Sequence, residues 1–234
     1  HDALPISTAE ATHTLDFQNH IVLSGTNLFR ADQGAAAIDG RLSGDLSGNG
    51  SFFKTGLGVI ELTGSNTYSG ATEVLAGDLV LGGVNSLSPN TWLTISNFNV
   101  VTLGAADFTN ALGSGTAGTV EWTGSGGFAA SGADRFVNLG GATGQVTWGT
   151  GFFVPEVVDN STLVLGSATA SNTVDFQNPI ELGFSNRTVQ ANDGFAAIDG
   201  KLSGVLSGSA LATETNLTKT GAGTLALSAA NTYT

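Results

Sequence analysis

The sequence predicts an all-β solenoid, and three observations predict it. Short apolar segments bounded by Gly, Asn or Ser recur at a spacing of roughly 8–12 residues, the signature of an all-β chain. Segments long enough to form a whole coil return along the chain, as in stacked-repeat architectures. Glycine is heavy, 34 of 234 residues, while proline is only 4, so the glycine belongs to neither collagen nor a proline-rich linker.

The strand segments follow in order as 59–62 (VIEL), 78–81 (DLVL), 92–95 (WLTI), 100–103 (VVTL) and 224–227 (TLAL). Several alternate apolar with small or polar residues, which turns one side chain in two toward a core. The alanine-rich stretches 35–37 and 196–197 are too short and too flanked by glycine for helices, so no significant helix is expected. A sandwich also has short strands at this spacing. The repetition of whole coil-length segments favours the solenoid. At roughly 20–25 residues per coil, the chain makes roughly ten coils.

The repetition is explicit. Leu15-Asp16-Phe17-Gln18-Asn19 returns as Val174-Asp175-Phe176-Gln177-Asn178, and Ala36-Ala37-Ile38-Asp39-Gly40 as Ala196-Ala197-Ile198-Asp199-Gly200. Arg41-Leu42-Ser43-Gly44 returns as Lys201-Leu202-Ser203-Gly204, and Lys54-Thr55-Gly56 as Lys219-Thr220-Gly221. The offset drifts from 159 to 165 residues, so small insertions are expected in loops. The layout read from this is a super-repeat at about 12–171 and part of a second at 172–234, within a single segment 7–234. Residues 1–6 (HDALPI) resemble a translated sequencing adapter and are read as a non-native leader. Shorter units sit inside: Val120-Glu121-Trp122-Thr123-Gly124 is similar to Val146-Thr147-Trp148-Gly149-Thr150, and both precede a glycine-aromatic segment.

Composition removes several classes of function. The net charge is −12 with only seven Lys and Arg, so the clustered cations that neutralise nucleic-acid phosphates are missing. The same charge disfavours docking on anionic lipid. With no cysteine there is no disulfide, thiolate metal site or cysteine nucleophile. A hydrophobic share of 41% is too high for a disordered chain.

Residues 53–82 carry the most specific pattern. Lys54, Gly56, Gly58, Leu62, Gly64, Asn66, Thr67, Tyr68, Gly70, Thr72, Val74, Gly77 and Leu79 fall in one gapless motif, with Ile60 at an apolar position. Lys219, Gly221, Gly223, Leu225, Leu227, Asn231, Thr232 and Tyr233 repeat its first half. This motif resembles the passenger-associated, or autotransporter-associated, β-strand repeat. The resemblance implies a right-handed parallel β-helix in the exported passenger of an autotransporter-like protein, with a repeat that assists passage or folding at the outer membrane. Within it, Ile60 and Leu62 are expected to face the coil interior, with Gly56 and Gly58 shaping a tight turn. Asn66 is expected at a corner, bonding its own backbone, and Tyr68 to stack on the neighbouring coil. Gly77 resets the chain direction. Lys54 reads as a surface charge that blunts edge pairing.

Residues that carry chemistry elsewhere read here as structure. Asp39 and Asp199 each precede glycine at equivalent corners, which is a turn signal. Glu61, Glu73, Glu121 and Glu156 lie on different units, and Glu61 and Glu121 are expected to face solvent. Arg135 is expected to pair with Asp134 or a nearby coil. His13 and His20 make a weak pair, since Pro179 replaces His20 in the second copy. The glycine-rich calcium nonapeptide and the phosphate-binding loop are absent. Trp122, Trp148, Phe128, Phe152 and Phe153 read as an interior ladder, with a sugar-stacking row as the alternative. The expectation is therefore a non-enzymatic stalk of a bacterial surface protein, with no cofactor, no metal and no nucleic-acid partner. Its neighbours would be the adjoining coils of a longer chain. A carbohydrate-binding or carbohydrate-cleaving β-helix, or a direct adhesin, is the alternative, its glycan or cell-surface ligand unknown.

Overall fold

The structure is a computed structural model and describes residues 4–141, 144–156, 161–208 and 216–233. Strands dominate it, and the helical content among the described residues is one short 3-10 turn at Leu139–Gly141. Every ladder between named strands is parallel. Parallel neighbours demand a crossover between them, and here each crossover is the remainder of a coil.

The longest sheet has nine strands, running from Leu15–Phe17 through Gly40–Leu42, Val59–Leu62, Asp78–Leu81, Asn99–Leu103, Gly126–Ala130, Thr162–Leu165 and Arg187–Ala191 to Leu217–Thr220. A seven-stranded sheet forms a second face in the first half, from Leu4–Ser7 through Thr26–Ala31, Ser51–Thr55, Thr72–Val74 and Leu93–Ile95 to Thr119–Trp122 and Ala111–Leu112. The third face there holds Ile21–Leu23 and Leu46–Gly48. In the second half the long sheet is joined by Arg135–Val137, Val174–Phe176, Gly200–Leu202 and Leu225–Leu227, and by Val146–Thr147, Ile180–Glu181 and Leu206–Ser207. The chain is thus a β-solenoid, as the sequence predicts.

Coil length is not constant. Val59 pairs with Asp78, 19 residues on, whereas Gly126 pairs with Leu163, 37 residues on. The long excursion fills the middle of the chain, where no copy of the 53–82 motif lies.

Inward positions alternate along each strand and stack into one continuous core: Ile60 and Leu62, Leu79 and Leu81, Val101 and Leu103, Phe128 and Ala130, Leu163 and Leu165. Aromatic rings continue the stack. Phe29 lies on Phe52 with ring centres 4.6 Å apart, and Phe52 leads to Tyr68 at 6.3 Å. Farther along, Phe128, Trp122, Phe153 and Trp148 meet edge to face.

The outside of the nine-stranded sheet carries a second, smaller cluster. Val100, Ala129 and Val164 point outward and are covered by Ala170. The segment after Thr162–Leu165 crosses over them: Ser171 and Asn172 donate backbone N–H to Ala130 O, and Thr169 Oγ1 donates to Asp78 Oδ2 at 3.4 Å.

The repeated sequence keeps its register in space. Leu15, Asp16 and Phe17 pair with Gly40, Arg41 and Leu42, and Val174, Asp175 and Phe176 pair with Gly200, Lys201 and Leu202. Leu4 pairs with Phe29 as Leu163 pairs with Val189. Ile6, buried at 1% exposure, packs where a side chain on Gly40 would sit, and Leu165 does the same at Gly200.

The two copies nevertheless face different ways. Leu15–Phe17 lies in the nine-stranded sheet but Val174–Phe176 in the four-stranded one; Thr26–Ala31 lies in the seven-stranded sheet but Arg187–Ala191 in the nine-stranded one. From Leu15–Phe17 the nine-stranded sheet advances six strands to Thr162–Leu165, and Val174–Phe176 is the next strand along the chain. The sequence repeat is therefore six turns plus one face.

Candidate functional site at the repeat corner

The 53–82 motif builds one corner and ties it to the coils on either side. Along Ser51–Thr55 the inward positions are Phe52 and Lys54, both at 0% exposure. Lys54 is thus a core residue and not the surface charge the sequence suggested. An ammonium can be buried only if hydrogen bonds replace its water. Lys54 Nζ donates to Thr55 O at 3.3 Å and Gly56 O at 2.5 Å in its own corner, and to Ala76 O at 2.7 Å in the following coil. Burial pushes its pKa down to about 8, against the pull of Asp78, Asp39 and Asp32.

Two glycines give this corner its shape. Gly56 and Gly77 have φ of 76° and 68°, the left-handed region open to glycine. A Cβ on Gly77 would also land on Lys54 Nζ and on the carbonyls of Gly56 and Gly58. Gly58 lies close under Asp32 O and Asp39 Oδ2.

Asn66 forms the next tie. It is buried, its Oδ1 accepts Leu46 N at 2.8 Å, and its Nδ2 donates to Ser86 O at 2.5 Å. Leu46 precedes it by one coil and Ser86 follows it by one. The expected bond to its own backbone is replaced by a bridge across three coils. Thr67 N donates to Leu46 O in the same layer. Gly64 and Gly70 pass close over Gly44 and Gly50 of the coil before.

Tyr68 is fully buried, as expected of a stacking residue, and its hydroxyl is 2.6 Å from Thr72 Oγ1. Thr72 Oγ1 is 2.9 Å from Thr91 Oγ1, which donates to Gly70 O. Burial drives the Tyr68 hydroxyl well above the ordinary tyrosine range. Ile60, Leu62, Val74 and Leu79 all face the core.

The second copy reproduces the lower half of this set. Lys219 Nζ donates to Gly221 O at 2.6 Å, and Gly221 has φ of 78°. Asn231 Oδ1 accepts Leu206 N at 2.9 Å, as Asn66 accepts Leu46 N. Thr232 N donates to Leu206 O, and Tyr233 packs partly buried against the core. Gly223 lies close to Asn192 O and Asp199 Oδ2, while Leu225 is half-buried and Leu227 exposed.

Several carboxylates serve the backbone or pair with cations. Asp39 is buried, with Oδ1 accepting Gly34 N and Oδ2 accepting Val59 N, both at 2.7 Å. Asp199 repeats this with Gly194 N and Thr224 N at 2.8 Å. Glu61 is half-buried and pairs with Arg41 at 2.6 Å. Glu156 pairs with Arg187, a buried cation the sequence reading missed, which also donates to Leu182 O and lies 5.9 Å from the Trp148 ring centre. Arg135 donates to Gly104 O at 2.6 Å and makes none of the ion pairs expected of it among the described residues. His13 and His20 bond separate partners, Thr12 and Ser47. Of the five aromatics read as a ladder, Phe152 departs from it: it is 51% exposed.

Glu73 and Glu121 flank Thr94 in the seven-stranded sheet. Burial raises the Glu73 pKa, and Glu121 raises it further. Among the described residues no group of three or more His, Asp or Glu is placed to hold a metal ion.

Residues 52–81 and 217–234 match the family described as passenger-associated-transport-repeat. No curated protein and no solved structure matches the chain. By fold the chain is a β-solenoid, and two of its segments are similar to the passenger-associated-transport-repeat.

Proposed function

We propose that the chain is a structural passenger segment of an exported bacterial surface protein. It acts as a stalk that displays other regions, catalyses nothing, and lies outside the cell in the assembled protein. The observation that carries this reading is the direction of the motif's bonds. Lys54 reaches forward to Ala76 and Asn66 forward to Ser86, each in the following coil. Each finished coil therefore offers unsatisfied polar groups that the next coil satisfies. Such a chain folds by adding coils to a template, nearest neighbour by nearest neighbour. That order suits a chain that emerges through a membrane end first, and it supports a role for the repeat in passage.

Antibodies raised against the purified chain test the placement. They should label intact source cells, and external protease should remove the label. Labelling only after permeabilisation would overturn the proposal. Lys54→Met should lower the amount reaching the surface while leaving synthesis unchanged; unchanged export would sever the link between the motif and passage.

A further inference from the structure

A cleft of about 420 Å³ opens beside the seven-stranded sheet, lined by Glu121, Trp122, Thr123, Thr150, Phe152 and Pro155 among others. We propose that this cleft binds an uncharged saccharide, with Phe152 as its stacking platform and Glu121 as its hydroxyl acceptor.

The loop that forms one wall is built to hold Phe152 outward. Gly149 N donates to both Phe153 O and Val154 O at 3.1 Å, and Phe153 N donates to Thr150 O at 3.1 Å. Trp122 N donates to Phe152 O at 2.9 Å, which fixes the loop to the sheet. Phe152 and Val154 have φ of 71° and 41°. Left-handed backbone is strained for non-glycine residues. This backbone sends two adjacent rings in opposite directions. Phe153 is fully buried against Trp122, Trp148 and Phe176, whereas Phe152 is half in water. The fold thus accepts strain and leaves exposed an aromatic ring that the hydrophobic effect would bury.

The surroundings of that ring select its partner. A sugar presents one flat C–H face and a rim of hydroxyl donors. Phe152 fits the face. Glu121 is acceptor-only when ionised and already takes one hydroxyl, Thr94 Oγ1, at 3.2 Å. Thr123 and Thr150 stand at the same rim. Glu73 lies two strands away on the same outer row, and the chain carries −12 overall, so sulfated, uronic and sialylated glycans meet repulsion. The binding is independent of the passenger reading, and its failure would leave that reading standing.

Calorimetric titration of the whole chain with neutral cello-, manno-, xylo- and galacto-oligosaccharides of about five units tests the proposal, with tryptophan fluorescence as a second readout. At least one series should bind. Phe152→Ala should weaken that binding about tenfold or more, and Glu121→Gln should weaken it less. Phe98→Ala, which removes another exposed ring on left-handed backbone outside the cleft, should leave affinity unchanged. Sialyllactose and oligogalacturonate should not bind. The proposal fails if no neutral series binds at millimolar concentration, if Phe152→Ala binds like the parent, or if the anionic sugars bind equally well.

Discussion

Lys54 and Lys219 occupy the same position in two copies of one motif, yet Lys54 is sealed in the core and Lys219 is exposed. Ala76, in the following coil, closes over Lys54 and supplies its third carbonyl; among the described residues Lys219 donates to the Gly221 carbonyl of its own corner. A motif residue is therefore polar or interior according to what stacks on it.

Removing the two lysines should have unequal effects. Lys54→Ala leaves the Gly56 and Ala76 carbonyls buried without a donor, a loss of about 2–4 kcal/mol. Lys219→Ala should change stability little. Urea unfolding, with hydrogen exchange at residues 76–82 to localise the change, distinguishes the two.

The buried lysine also predicts a pH dependence. Its pKa is about 8 in the folded chain and 10.5 when free. Between those values the unfolded chain holds the extra proton, so the Lys54 contribution to stability rises with pH across about pH 8–10.5. The full gain is on the order of 3 kcal/mol. Below pH 8 both states are protonated and this slope vanishes. Lys54→Met should abolish the alkaline rise in unfolding free energy, and a rise that persists in that variant would assign it to another group.

Asn66 bridges three coils, so Asn66→Ala should orphan Leu46 N and Ser86 O together, at about 2–3 kcal/mol. Asn66→Asp should be worse at neutral pH, since it sets a carboxylate oxygen against the Ser86 carbonyl. Chemical denaturation of both variants, compared with Asn231→Ala, checks the order. Among the described residues Asn231→Ala loses the bond from Leu206 N, and it should be mildest.

Asp39 and Asp199 should behave alike, in contrast to the lysines. Each accepts one N–H from its own loop and one from the following coil, Val59 N or Thr224 N. Asp39→Asn and Asp199→Asn each turn an amide donor toward a backbone donor, at about 1–3 kcal/mol. A large difference between the two, measured by thermal unfolding, would show that the two corners are not equivalent in solution.

Much of the fold was legible in the chain because strand stacking leaves a local mark. Alternation placed Ile60 and Leu62 in the core, and glycine marked Gly56 and Gly77 as corners. Lys54 was misread because a lysine is usually solvated, although period-two alternation from Phe52 already put it on the inner face. Asn66 was misread because its partners, Leu46 and Ser86, are set by coil length and not by neighbours in sequence. Phe152 looked like its buried neighbour Phe153, since nothing in the two letters tells that the backbone is left-handed at Phe152 and Val154 on either side of it.

The sequence by itself determined the repeat family, the all-β class and the identity of the corner residues, because each depends on side chains a few positions apart. Tertiary structure alone decided three things: that the super-repeat spans six turns plus one face, that Lys54 is interior, and that Phe152 stands over a cleft beside Glu121. All three depend on how many residues each coil takes, from 19 at Val59 to 39 at Arg135. Loop lengths set that number, and they fix which residues meet across 4.8 Å of stacking distance.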